Sequence, residues 1–272
     1  MVLRYAAFTD RPEGGNPAGL MLSAAGMSDA EMLAEAAEVG YSETAFLRAR
    51  GAGEFDVRYF SPVAEVPFCG HATVAAGVAL GERDGPGELL FHTPAGEVQV
   101  RTDGERAGFT SVAAHAEEVA PERVAAALRA LGWSERELDP ELPPRIGFAG
   151  ARHLILAAAT RERLARLSYD FEALRVLMEE LDLTTVALVW RESAQRFHAR
   201  NPFPVGGVVE DPATGAAAAA LGAYLRDLEL VSPPAQIVVL QGADMGRPSE
   251  LIVDLEAGQT GVAVSGRAVR LR

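Results

Sequence analysis

Two stretches constrain what this chain can fold into. One is "PFCGHATVAAGVAL", residues 67–80; the other is "ATGAAAAALGAYLRDL", residues 213–228. Each reads as a helix of alanine, valine, leucine and glycine with no polar stripe. A helix that is apolar on all faces is enclosed by other structure, not laid on a surface. Neither run approaches the ~20 apolar residues that cross a bilayer. Alanine and glycine make the helix thin, so strands can close around it. Setting Gly70 against Gly215 places Gly77 on Gly222 and Leu80 on Leu225, so the two helices read as one motif used twice. The fold class expected is α/β (α+β): two pseudo-symmetric halves, each a curved, mostly antiparallel sheet or barrel wrapped around one central helix.

The rest of the chain fits that plan. "LRYAAFTD" reads as a first strand and "RPEGGNPAG" as a turn. "SDAEMLAEAAEVGYS" reads as a helix, with Ser28 and Glu31 as a capping box and Gly40 as its stop. "ETAFLRAR" and "EFDVRYFSP" read as strands, and "GELLFHTPAGEVQVRTDG" as hairpin material. The order then repeats: a helix opened by Pro121, a strand at "RHLILAAA", a helical stretch in two parts over 160–183, then strands, the second alanine-rich helix, and closing strands. The break between halves is placed within 111–120. That gives 1–115 and 116–260, with the last strand, 261–272, a candidate to return to the first half.

Charge and residue usage narrow the function. The formal charge is −13, which argues against a phosphate-neutralising nucleic-acid surface or docking on anionic lipid. All 25 basic residues are arginine, so Schiff-base chemistry and the lysine of a phosphate-binding loop are excluded. The single cysteine, Cys69, excludes an intramolecular disulfide and a cysteine-built metal cluster. No metal site and no cofactor are expected. "MVLRYAAFTD" lacks the pattern of a secretory signal, so a cytoplasmic, soluble protein is expected.

An acidic protein can still bind an acidic molecule through helix N-termini, which offer unpaired N–H groups and about half a positive charge. Gly70 and Gly215 stand at the two helix heads. Titratable groups lie beside them: His71 at the first head, Asp211 at the second, and Glu43 where a strand begins. Alone, each has an ordinary reading, as a structural histidine, a turn-forming aspartate and a solvated glutamate. Together a carboxylate, an imidazole and a second carboxylate suffice for proton transfer. Arginines away from the heads are expected to matter little.

Four motifs in order, "GGNPAGL", "SETAFL", "FSPVAEVPFCGHAT" and "EDPATGAAAAALGAYL", carry a resemblance. The chain resembles the phenazine-biosynthesis PhzF-like family over effectively its whole length. That family shares its fold with diaminopimelate epimerase and proline racemase. The resemblance implies a cofactor-free isomerase that moves a proton on a small carboxylate-bearing substrate. Glu43 matches the family's proton shuttle, and His71 and Asp211 match its partners. Asn16, Gly70, Thr214, Gly215 and Ala216 are the implied substrate-binding positions. Homodimers are common in this group, and a homodimer is expected. Ala216 stands where the family often has serine, which points to a different substrate. A racemase with two thiols is excluded by count. An epimerase using Cys69 or Glu43 as one of two bases stays open, as does a small-acid binding protein that has lost the chemistry; Cys69 is otherwise a small buried residue.

Overall fold

The computed structural model describes residues 1–272. The chain divides into two compact units. The first comprises Met1–Thr110, Gly246–Glu250 and Val264–Arg272; the second comprises Ser111–Met245 and Leu251–Ala263. The 115/116 boundary read from the sequence falls inside the strand His115–Glu118, which is paired to its neighbour over its whole length. By its contacts that strand stays whole in the second unit, and the break lies upstream, after Thr110.

In the first unit the elements are β1 (Leu3–Ala7), β2 (Asn16–Met21), α1 (Asp29–Val39), β3 (Glu43–Gly51), β4 (Glu54–Phe60), β5 (Glu65–Val66), α2 (Gly70–Asp84), β6 (Gly87–Thr93), β7 (Gly96–Thr102) and β8 (Arg106–Thr110). β1 and β2 are antiparallel, β2 and β3 parallel, β3 and β4 antiparallel, β4 and β6 parallel, and β6, β7 and β8 form an antiparallel meander. The last strand of the chain, Ala263–Arg270, pairs with both β1 and β8 and closes a ring of eight strands. Closure removes every free edge except at short β5, which pairs only with β4. The stretch read as a turn ends at Gly15. From Asn16 onward it is β2, held by five register pairs with β1, and the ladder overrides the local glycine and proline signals.

α2 packs on β1, β2, β3, β7 and β8 and is buried without interruption from His71 to Gly81. A Cβ at Gly77 would lie 2.7 Å from Ala107 Cβ and 2.9 Å from Val100 Cγ1, so the helix backbone sits closer to the strands than any side chain permits. Strand alternation sorts the remaining side chains. Phe46 and Phe60 face α1 and form a small core with Met32 and Ala36. Ala45, Leu47, Val57 and Tyr59 have the opposite parity, and the Tyr59 hydroxyl lies 2.6 Å from Thr73 Oγ1 on α2. Glu43 shares the parity of Ala45 and Leu47, so a carboxylate is directed toward the helical axis. α1 carries both halves of the Ser28/Glu31 capping box and ends at Gly40 in the left-handed region, φ 71°.

The second unit contains β9 (His115–Glu118), α3 (Pro121–Leu131), β10 (Arg145–Phe148), β11 (Arg152–Ala157), α4 (Arg161–Ala165), α5 (Phe171–Glu180), β12 (Thr185–Ser193), β13 (Arg196–Phe203), β14 (Val208–Asp211), α6 (Gly215–Asp227), β15 (Ala235–Gln241) and β16 (Ser249–Leu255), the last beginning in the first unit; the closing strand Ala263–Arg270 is β17. Its pairings repeat those of the first unit: β10 and β11 antiparallel, β11 and β12 parallel, β12 and β13 antiparallel, β13 and β15 parallel, with the short β14 antiparallel on β13. α6 packs on β9, β10 and β11. A Cβ at Gly222 would lie 2.8 Å from Val253 Cγ1, the same close approach as at Gly77. Leu154, Leu156, Val186 and Leu188 face a core built with α3 and α5, leaving His153 and Thr185 on the other face of the sheet. No helix is long and apolar enough to cross a membrane.

Candidate active site

The first cluster lies entirely in the first unit. β3 begins at Glu43 and points its side chain inward; α2 begins at Gly70 and places His71 at its second residue. Glu43 Oε2 lies 3.4 Å from His71 Nε2. The Ser42 hydroxyl lies 3.4 Å from the same nitrogen. On the other side of the ring, Asn16 Nδ2 lies 3.2 Å from Nδ1. With the amide donating, Nδ1 is the acceptor and the ring proton sits on Nε2, toward Glu43 and Ser42. Burial pushes the His71 pKa down, opposed by the neighbouring Glu43 charge, so the ring is neutral at pH 7. The His71 side chain is 7% exposed and that of Glu43 16%, which leaves the carboxylate as the more open titratable group of the pair.

Cys69 is the N-cap residue of α2 and gives the helix no side-chain hydrogen bond. Its thiol instead donates to Glu43 Oε2 at 3.5 Å. Glu43, Cys69 and His71 together offer three metal-type donor atoms within 4.8 Å of one another. Their arrangement does not suit a metal. Sγ is 3.4 Å from Nδ1 and 3.8 Å from Nε2, nearly equidistant. At those distances a sulfur in the ring plane would collide with Cε1, so it lies off the plane. The nitrogen lone pairs, which lie in the plane, do not converge with it on one point. Nδ1 is also taken by Asn16.

The second cluster lies in the second unit, where β14 runs through Asp211 into the head of α6. Thr214, the N-cap residue, donates its hydroxyl to Asp211 Oδ2 at 2.5 Å. Gln241, at the end of β15 and 2% exposed, braces this turn. Its Oε1 accepts from Thr214 N at 3.1 Å, and its Nε2 donates to Asp211 O at 2.7 Å and to Thr214 Oγ1 at 3.1 Å. Gly215 is buried and Ala216 half-buried at the head of the helix. The structure therefore gathers Asn16, Glu43 and His71 beside Gly70 in one unit, and Asp211, Thr214, Gly215 and Ala216 in the other.

Sequence reasoning missed Ser42 and Gln241. Ser42 is adjacent to Glu43 in "SETAFL". Gln241 opens "QGADMGRPS", whose only signal is a run of turn-forming glycines. A cavity of about 410 Å³ beside α1, lined by Met27, Met32, Phe46, Arg48 and His92, shares no residue with either cluster. Its Arg48 is ion-paired to Asp56 at 2.5 Å.

The family model described as "Phenazine biosynthesis-like protein" matches residues 5–272. The chain belongs to this family. The phenazine biosynthesis-like chain is 33% identical to trans-2,3-dihydro-3-hydroxyanthranilate isomerase of Pseudomonas chlororaphis, over 97% of this chain and 94% of that one. An uncharacterized isomerase of Deinococcus radiodurans is 34% identical over 94% of this chain and 87% of its own length. These names place the chain among isomerases. The crystal structure of a Bacillus anthracis protein of the PhzF family matches with a TM-score of 0.88 at 26% identity, covering 100% of this chain and 96% of the other. A probable proline racemase from Agrobacterium radiobacter matches with a TM-score of 0.65 at 14% identity over 99% of this chain and 90% of the other, which shows a shared fold.

Proposed function

We propose that this phenazine biosynthesis-like protein isomerises a small carboxylate-bearing substrate by moving a proton between carbons, without a cofactor, and that Glu43 carries the proton. The observation that supports this most is the Glu43–His71 pair: a partly open carboxylate 3.4 Å from the Nε2 of a buried, neutral imidazole. A neutral ring with its proton on Nε2 orients the carboxylate without sharing a charge with it. Glu43 removes a proton from one carbon of the substrate, the electron pair delocalises toward an unsaturated or carbonyl group, and the same proton returns at a second carbon. No net oxidation occurs.

The head of α2 suits the anion that such a step develops. Cys69 provides no side-chain cap and the first turn holds no acidic residue, so no side chain of the helix itself is bonded to its head; the carboxylate nearest that head is Glu43, the proposed base. Asp211 is proposed as a second polar group needed for turnover, held in place by Thr214 and Gln241. Asn16, read from the sequence as substrate-binding, is 1% exposed and spends its amide on His71, so we assign it to orienting the ring. A cytoplasmic homodimer remains part of the proposal.

The test uses trans-2,3-dihydro-3-hydroxyanthranilate, the compound in the relative's name, alongside other small unsaturated carboxylates. Glu43→Gln keeps the shape of the side chain and removes the base. It is expected to lower kcat by ~10²–10⁴-fold while ligand binding is retained. Asp211→Asn is expected to lower kcat with Tm held within a few degrees. Turnover by Glu43→Gln within a few-fold of wild type would remove Glu43 from the reaction.

A further inference from the structure

Arg247 is the residue outside both clusters with the most direct hold on one of them. Its Nε donates to Gly15 O at 2.7 Å and its Nη2 to Gly14 O at 2.6 Å. The next residue takes a bond back, Gly15 N donating to Pro248 O at 3.1 Å. The turn so gripped has no slack. Gly15 has φ 67°, and a Cβ there would lie 2.3 Å from Ala7 O. A Cβ at Gly14 would lie 2.5 Å from Pro248 O. The residue that leaves this turn is Asn16, opposite Ala7 in the β1–β2 ladder, with its amide nitrogen 3.2 Å from His71 Nδ1. From Arg247 to the imidazole the chain of contacts is therefore guanidinium, two main-chain carbonyls, Asn16, Nδ1. All of it lies in one unit, although Arg247 is 232 residues from Gly15 in sequence.

We propose that Arg247 is a positioning residue for the His71–Glu43 pair: by gripping the Gly14–Gly15 turn it sets the Asn16 amide against Nδ1 and keeps the ring proton on Nε2, facing the Glu43 carboxylate. A guanidinium suits this because its planar fork reaches two neighbouring acceptors at once, which an ammonium cannot do in fixed geometry. The consequence for turnover rests on the reading of Glu43 as the acid/base; the consequence for the ring does not. Loss of the grip frees Asn16 to move, and an imidazole without a donor at Nδ1 populates both neutral tautomers. Cys69 Sγ also lies 3.4 Å from Nδ1, but off the ring plane and so away from the in-plane lone pair, and it is a poor substitute for the Asn16 amide.

The experiment is long-range ¹H–¹⁵N NMR of the imidazole rings in uniformly labelled full-length protein. The chain has five histidines, and His71→Gln assigns the signal. Wild type is expected to show His71 as the Nε2–H tautomer. Arg247→Ala and Asn16→Ala are each expected to move it to a mixture, with Arg247→Lys between wild type and Arg247→Ala. In steady-state turnover the same variants are expected to lose about tenfold or more in kcat with KM near wild type. Arg247→Ala/Asn16→Ala is expected to be no worse than Asn16→Ala alone, because both act on one contact. An unchanged His71 signal in Arg247→Ala, or fully additive losses, would overturn the proposal and leave Arg247 a brace for stability only. If Arg247→Ala does not fold, Arg247→Lys against Asn16→Ala decides on the same two readouts. Should Glu43→Gln prove fully active while the tautomer still moves, the assignment of Glu43 fails and that of Arg247 stands.

Discussion

A glutamate that opens a strand is ordinarily solvated. Glu43 is only partly so, because strand parity points it toward α2, where His71 and Cys69 flank its carboxylate and Ser42 meets the same ring nitrogen of His71. The motifs made Glu43, His71 and Asn16 legible in sequence, but not what each does. Asn16 faces His71, which depends on a ladder that begins one residue after a glycine turn. Arg247, grouped in sequence with arginines of little consequence, acts through main-chain carbonyls, and no side-chain pattern encodes a bond to a carbonyl. Cys69 gives a prediction at this scale. Its thiol donates one weak bond to Glu43 and leaves α2 without a side-chain cap. Serine keeps a donor and is a better N-cap. Cys69→Ser is therefore expected to hold kcat within a few-fold and leave Tm unchanged or raised, by steady-state turnover and thermal melts. A loss of ~10²-fold or more would make the thiol itself an acid or base.

Among the elements, the two central helices differ at their heads from three of the peripheral ones, and from the fourth, α3, which opens on Pro121 without a side-chain cap, in having no acidic residue in the first turn. α1, α4 and α5 begin with Ser28, Thr160 and Asp170, each accepting from a helix N–H, and each has an acidic residue in its first turn. α2 and α6 have neither a side-chain cap bond nor an acidic first turn. The usual cap chemistry is missing where the candidate chemistry lies. Their bodies were legible from composition alone, since nothing but a surrounding sheet can cover such helices. The glycines in them carry a second prediction. Exposed helical positions gain roughly 1 kcal/mol when glycine becomes alanine. Gly77→Ala and Gly222→Ala should instead lose about 1–3 kcal/mol each, since the new Cβ meets Ala107 and Val100, or Val253, below 3.0 Å. Urea unfolding of the two variants checks this; a gain in stability would mean that the strands yield freely around the helix.

At the scale of the whole molecule, the duplication was readable from two helix heads; the return of the last strand to the first half was readable only as a candidate, and its two partners, β1 and β8, were not, because a β-strand carries no mark of which partner it will meet. The second unit holds a group that sets the pH range of stability. His153 is fully buried, with Nδ1 2.8 Å from Thr185 Oγ1, which in turn donates to Asn201 Oδ1 at 3.2 Å. Nδ1 therefore carries the proton, and Nε2 has no partner. Protonation would bury an unpaired cation, and burial pushes the pKa down to about 3. The folded state favours the neutral ring, so its contribution is complete above the unfolded value of ~6.5 and is lost as pH falls toward 3, at about 1.4 kcal/mol per pH unit. His71, also lowered by burial, adds in the same direction. Urea midpoints should fall between pH 7 and pH 5, before most carboxylates titrate. His153→Gln, if folded, should show a shallower fall; an equal slope would place the proton uptake elsewhere.

The central claim is that Glu43 moves a proton between the substrate and itself. Its most direct measurement is deuterium wash-in: small carboxylates are incubated with the protein in D₂O and examined by mass spectrometry and NMR for label on carbon. Wild type is expected to introduce one deuterium at the carbon that is reprotonated whenever the shuttled proton exchanges with solvent, and Glu43→Gln to introduce none above background while still binding the compound. Label introduced equally well by Glu43→Gln, or bound substrate that turns over with no label and no transfer of its own proton, would contradict the account.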